Sequence, residues 1–320
     1  MSLLIQYTLL FSSVLLLVAL GGCFSEHSGV INLGLEGIMV IGALGGALTM
    51  RYLPEDTSSF VTFVAVAGAS LLAGMLFSVL LAVPAIHLRA DQTIIGTAMN
   101  MLATAFATVL VKAINTAANS GDVSSEIFYG PARSKMLITI GGFEFNWFVV
   151  LSVVVLAGAW LVLYKTRFGL RLMACGEYPQ AAASVGISVY KMRWAGVLIS
   201  GALGGLGGIA YITCSVSRWK FENGVAGFGF LALAVMIFGN WTPLSTALAA
   251  VLFGLFKCIA ATYASIDING DGVAMLAQIG VSPYVYRLLP YLITLVVLAF
   301  TSKNSRVPKA EGIPYDKGSR

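Results

Sequence analysis

Long apolar runs follow one another almost without a break along this chain of 320 residues. A helical membrane span needs about 20 mostly apolar residues. Runs of that kind recur at Leu3–Gly22, Val30–Thr49, Phe60–His87, Thr93–Ala113, Asn146–Tyr164, Trp194–Thr213, Val225–Gly239, Leu244–Tyr263 and Tyr284–Thr301. The expected fold is therefore an all-α polytopic membrane protein with about nine transmembrane segments, eight to ten being the working range. The runs are continuous and do not alternate in ten-residue units, so helices are expected and a barrel is not. Val225–Gly239 is short and Phe60–His87 is long, so some spans should be broken or re-entrant. One transmembrane domain, 1–301, should precede a basic tail, 302–320.

Composition narrows the class further. Only 10% of the residues are charged and 58% are hydrophobic, where soluble domains carry about 25% charged residues. So few charges cannot cover a soluble surface, which excludes a soluble enzyme, and the apolar content excludes disorder. The net charge of +5 is divided among separate loops, so no basic face for nucleic acid is expected. Cys23, Cys175, Cys214 and Cys258 show neither C-x-x-C spacing nor a His/Cys cluster, so no metal, redox centre or other cofactor is expected. Leu20-Gly21-Gly22-Cys23 has the look of a lipoprotein cleavage site, but the basic start of a secretory signal is missing. A first span ending in small residues is the simpler expectation.

Loop charge orients such a protein, because Lys and Arg favour the cytoplasmic side. The segment 165–193 holds Lys165, Arg167, Arg171, Lys191 and Arg193 against Glu177 alone. The tail holds Lys303, Arg306, Lys309, Lys317 and Arg320 against Glu311 and Asp316. The loop around Asp267 and Asp271 has no Lys or Arg, and the Arg51–Glu55–Asp56 loop is slightly acidic. Both basic segments are accordingly expected in the cytoplasm, which places the N-terminus outside.

Three stretches could carry function within the membrane. Asn32 and Glu36 lie among glycines at the head of an apolar run. Charged residues in spans usually face a watery interior, and glycines permit a broken helix; a helix cap is the competing role. Thr93, Thr97, Asn100, Thr104, Thr108, Lys112 and Asn115 recur at intervals of three or four, which puts them on one helical face. A face this long suits a polar conduit, although threonines bonding to their own helix and Asn100 joining two helices would also account for it. Gly201-x-x-x-Gly205, Gly204-x-x-x-Gly208, Gly42-x-x-x-Gly46 and Ser70, Gly74 and Ser78 are close-packing signals. No phosphate-binding loop follows the glycines of 204–208, and no nucleophile–base pair lies in the spans, so an enzyme is not expected.

The loop 165–193 is too polar to span. Pro179 and the alanines after it predict a short helix ending near Gly186. Taken with Gly29–Gly37, with Phe168-Gly-Leu-Arg171 and Gly176-Glu177, and with Gln180-Ala181-Ala182-x-x-x-Gly186, the chain resembles inner-membrane permeases of bacterial ABC importers. The group is the one serving branched-chain amino acids, simple sugars and nucleosides. The asparagine-to-glutamate stretch is most similar to nucleoside-type permeases, with riboflavin, a simple sugar or a branched-chain amino acid as alternatives. Gln180 stands where glutamate is usual in the docking loop. The resemblance implies a second permease subunit, a cytoplasmic ABC ATPase and an extracytoplasmic solute-binding lipoprotein as partners, in the bacterial inner membrane. It implies that Arg167, Arg171, Glu177, Gln180, Ala181, Ala182 and Gly186 couple to the ATPase. Asn32, Glu36, Thr93, Thr97, Asn100, Thr104 and Thr108 are the pathway candidates. An ion-coupled secondary transporter working through Glu36 or Lys112 is the rival class.

Overall fold

A computed structural model describes residues 2–140, 143–215, 218–263, 282–301 and 306–318. The acidic loop at Asp267 and Asp271 lies outside the described residues. Helix α1 (Ser2–His27) is the central post, and Cys23 lies buried inside it. Around it stand α2 (Leu35–Tyr52), α3 (Ser59–Ala82) and α4 (Gln92–Ala118). Next come a short α5 (Gly130–Ser134), then α6 (Trp147–Lys165), α7 (Arg167–Glu177) and α8 (Pro179–Ser184). The chain continues through α9 (Val189–Ser215), α10 (Phe228–Phe238), α11 (Pro243–Thr262) and α12 (Pro283–Thr301).

Seven of the described helical segments are long and apolar enough to cross a membrane. The nine spans expected from the sequence are therefore not all met among the described residues, and α2 is one that falls outside. The 18 residues of α2 include both Glu36 and Arg51. Broken spans do occur. Helix α3 ends in a π turn, Val83–His87, at Pro84, whose missing N–H cannot continue the ladder. Residues 221–238 begin as a single 3-10 turn, Phe221–Asn223, before α10 forms.

Four short strands depart from the all-helical expectation. Strand β1 (Glu126–Phe128) pairs antiparallel with β4 (Arg218–Lys220), while β2 (Leu137–Ile140) and β3 (Phe143–Asn146) form a hairpin. Strand β4 follows the C-terminal end of α9, and Tyr129, Arg133 and Asn146, beside the other strands, bond to Ile212 and Thr213 near that end, whereas α7 and α8 precede the N-terminal end of α9.

Small residues set the packing of α2, α3 and α9. A Cβ placed on Gly42 would come within 2.2 Å of the Gly205 Cα, and one on Gly74 within 2.3 Å of the Gly201 carbonyl oxygen. The motifs seen separately in the sequence thus face one another, which lets backbones approach where no apolar driving force distinguishes helix from lipid. Side-chain caps fix several helix starts. Asp91 accepts from the Thr93 and Ile94 amides, Asn146 from Phe148 and Thr166 from Gly169.

Residues 306–318 lie against the body. The Ala310 amide donates to the Gly176 carbonyl at 2.8 Å, Gly312 to Gly29 at 3.2 Å, and Arg89 forks onto Asp316 at 2.9 Å. The two basic segments, 165–193 and the tail, therefore share one end of the molecule.

Candidate functional site

The segment between α1 and α2 is a tight turn whose polar groups are spent internally. Gly29 adopts φ +90°, a backbone shape that side chains disfavour. Asn32 is fully buried; its amide donates to Ser200 Oγ at 2.8 Å, and its oxygen accepts from the Gly34 amide. Glu36 sits in the first turn of α2 but serves another helix. Its carboxylate accepts from the Gly227 amide at 2.8 Å and from Gly229 at 2.7 Å. Those amides open α10, so Glu36 satisfies donors that a helix N-terminus leaves unpaired. The start of α10 is thus anchored to α2.

The seven-residue stripe on α4 divides by depth. Thr93 and Thr97 are exposed, Thr104 and Thr108 half-buried. The Thr97 hydroxyl donates back to Thr93 and Ile94, and Thr104 to Asn100. Asn100 bridges helices: its amide donates to the Leu33 carbonyl at 2.9 Å while its oxygen accepts from the Gly37 amide at 2.7 Å. Asn115 is buried and ties Arg51 to the carbonyls of Ser124 and Glu126. Lys112 pairs with Glu222 at 2.7 Å. The stripe is thus polar surface at Thr93 and Thr97 and structural joint at Asn100 and Asn115.

At the other candidate site, Thr166 caps α7 and Pro179 opens α8, which closes at Ser184. Gly186 then turns the chain at φ +84°, with open space where a side chain would stand. Arg167, Arg171, Gln180, Ala181 and Gly186 are exposed and Glu177 half-buried. Ala182 points inward, 5% exposed, against Cys175, Val189 and Tyr315. Leu170, Tyr178 and Val185 are large apolar side chains on the same exposed part, Val185 at 74%. Exposed apolar side chains together with Arg167 and Arg171 make a surface suited to a protein partner.

The family described as branched-chain amino acid transport system, permease component, matches residues 4–298. The chain belongs to this family. Among relatives, the permease is 38% identical over 326 residues to the Guanosine ABC transporter permease protein NupQ of Bacillus subtilis, covering 100% of this chain and 98% of that one. It is 37% identical over 320 residues to the Nucleoside ABC transporter permease protein NupC of Lactococcus lactis, covering 97% and 95%. It is 29% identical to the Putative glucose ABC transporter permease protein TsgC13 of Haloferax volcanii, covering 93% and 91%. The permease is thus a multi-pass membrane transport subunit.

One feature of the permease escaped the sequence reasoning. Phe11, Tyr211, Phe228, Lys257 and Tyr291 line a cavity of about 430 Å³ between α1, α9, α10, α11 and α12. Lys257 is a single cation in an apolar run, the same signal that drew attention to Glu36. The aromatic residues carry no such signal, because their four helices are far apart in sequence.

Proposed function

We propose that this permease passes a nucleoside through the bacterial cytoplasmic membrane as one subunit of an ATP-driven importer. The observation that carries this is full-length likeness at 37–38% to two permeases named for guanosine and nucleosides. In this reading α7 and α8 meet a cytoplasmic ABC ATPase. Arg167, Arg171, Glu177, Gln180, Ala181 and Gly186 form the contact, and Ala182 seats α8 on the body. The solute path runs along Thr93, Thr97, Thr104 and Thr108 of α4, closed by a second permease subunit. Asn32, Glu36 and Asn100 hold the wall behind it. An extracytoplasmic solute-binding lipoprotein delivers the nucleoside to the end carrying the strands. Uncharged hydroxyl groups suit a neutral polar solute, since they can exchange hydrogen bonds with it without stranding a charge.

A sugar is the second reading, favoured by the glucose-named relative. Uptake by cells with and without this gene separates the two. Labelled guanosine, adenosine, cytidine, glucose, riboflavin and leucine are each supplied. Deletion is expected to abolish nucleoside uptake and spare the rest; loss of glucose uptake alone would contradict the nucleoside assignment.

A further inference from the structure

The ammonium of Lys257 is held against aromatic faces. Its Nζ lies 4.7 Å from the Phe228 ring centre and 5.2 Å from that of Tyr291. Among the described residues it has no hydrogen-bond or ion-pair partner, although Glu36 lies within Coulombic reach. Glu36 is itself committed to the amides of Gly227 and Gly229. The start of α10 therefore offers the cavity no spare donors there, and Lys257 is the charged group on its wall. Phe228 also packs on Tyr211 at 4.5 Å and on Phe11 at 5.8 Å, so the rings brace one another.

We infer that this cavity is a base-binding station separate from the α4 face and that Lys257 selects 6-oxopurine nucleosides, guanosine and inosine, over adenosine. The inference rests on the nucleoside reading above. A volume of about 430 Å³ falls in the range of small-molecule sites, about 300–1,000 Å³. A ring face receives a flat base by stacking whatever its edge groups, so the exposed Tyr291 supplies affinity without discrimination, while the buried Phe228 holds the ammonium from behind. Discrimination comes from the cation. An ammonium carries three donors and no acceptor, and it matches the adjacent O6 and N7 acceptors of a 6-oxopurine. Adenine presents an amino donor at the corresponding edge, which the ammonium cannot pair with. The half-buried position matters, because the cation–π contacts hold the ammonium in place without consuming its donors.

The test uses the complete importer, purified with its ATPase and lipoprotein and reconstituted in liposomes, with labelled guanosine and adenosine in competition. Lys257→Met is expected to lower the guanosine-to-adenosine uptake ratio by about tenfold. Lys257→Arg keeps the charge and the paired donors and should keep the ratio. Tyr291→Leu removes a stacking face and should raise the apparent KM for both purines. An unchanged ratio in Lys257→Met overturns the inference, as does an equal loss of ratio in Lys257→Arg. An unchanged KM in Tyr291→Leu overturns the stacking role. If the unmodified importer moves sugar and no nucleoside, the nucleoside reading has failed upstream of this one.

Discussion

A carboxylate in an apolar run must find donors, and Glu36 finds them on α10, a helix nearly 200 positions away in sequence. The same economy governs α4. Asn100 makes two interhelical bonds, so Asn100→Leu strands the Gly37 amide and the Leu33 carbonyl, at about 1–3 kcal/mol for each buried group left unpaired. Thr97 bonds only within its own helix, and Thr97→Leu should leave thermal unfolding in detergent unchanged while cutting uptake several-fold. Equal uptake by Thr97→Leu and the unmodified permease would remove the stripe from the path. In the tail, burial pushes the Glu311 carboxyl up to about 7, against a hydrogen bond with Glu26 that pulls it down. Its unfolded value is about 4.3, so docking of the tail takes up a proton between those limits. The contribution is complete on the acid side and lost as pH rises through 7. Amide exchange at residues 308–313, corrected for its intrinsic rate, should accelerate between about pH 4 and about pH 7 and level off above that. Glu311→Gln should abolish that acceleration.

Among the elements, α8 shows how near a sequence argument can come and where it stops. Pro179, the alanines and Gly186 were enough to place a short helix with a glycine turn after it, and the helix is there at Pro179–Ser184. They could not tell which alanine faces out, because a six-residue helix has too few turns for its pattern to distinguish two faces. Ala181 is exposed, whereas Ala182 packs on Cys175, Val189 and Tyr315. Ala181→Trp should therefore block ATPase recovery and uptake while the permease keeps its melting temperature. Ala182→Trp should overpack the interior and cost about 1–3 kcal/mol of stability. The reverse pattern would mean that α8 is seated the other way round. Other elements were less legible. Strand β4 pairs with β1 across about 90 residues, a long-range register that no local pattern encodes. The glycine motifs were plain as packing signals, but not that those of α2, α3 and α9 share one seam.

At the scale of the whole molecule, the apolar runs gave the class; the basic loops predicted a shared cytoplasmic side for residues 165–193 and the tail, and the fold adds a direct contact between them that charge alone does not encode. The aromatic cavity was hidden, since it assembles from α1, α9, α10, α11 and α12 only after folding. What distinguishes an importer subunit from an ion-coupled carrier is the energy source, and one measurement addresses it. Liposomes holding the permease with the proposed ATPase, lipoprotein and second permease subunit are given labelled guanosine, with ATP supplied on the ATPase side and all ion gradients collapsed by ionophores. Guanosine should accumulate against its gradient, and accumulation should stop when ATP is withheld. Accumulation by the permease alone, driven by a proton or sodium gradient without ATP, would contradict the assignment as an importer subunit.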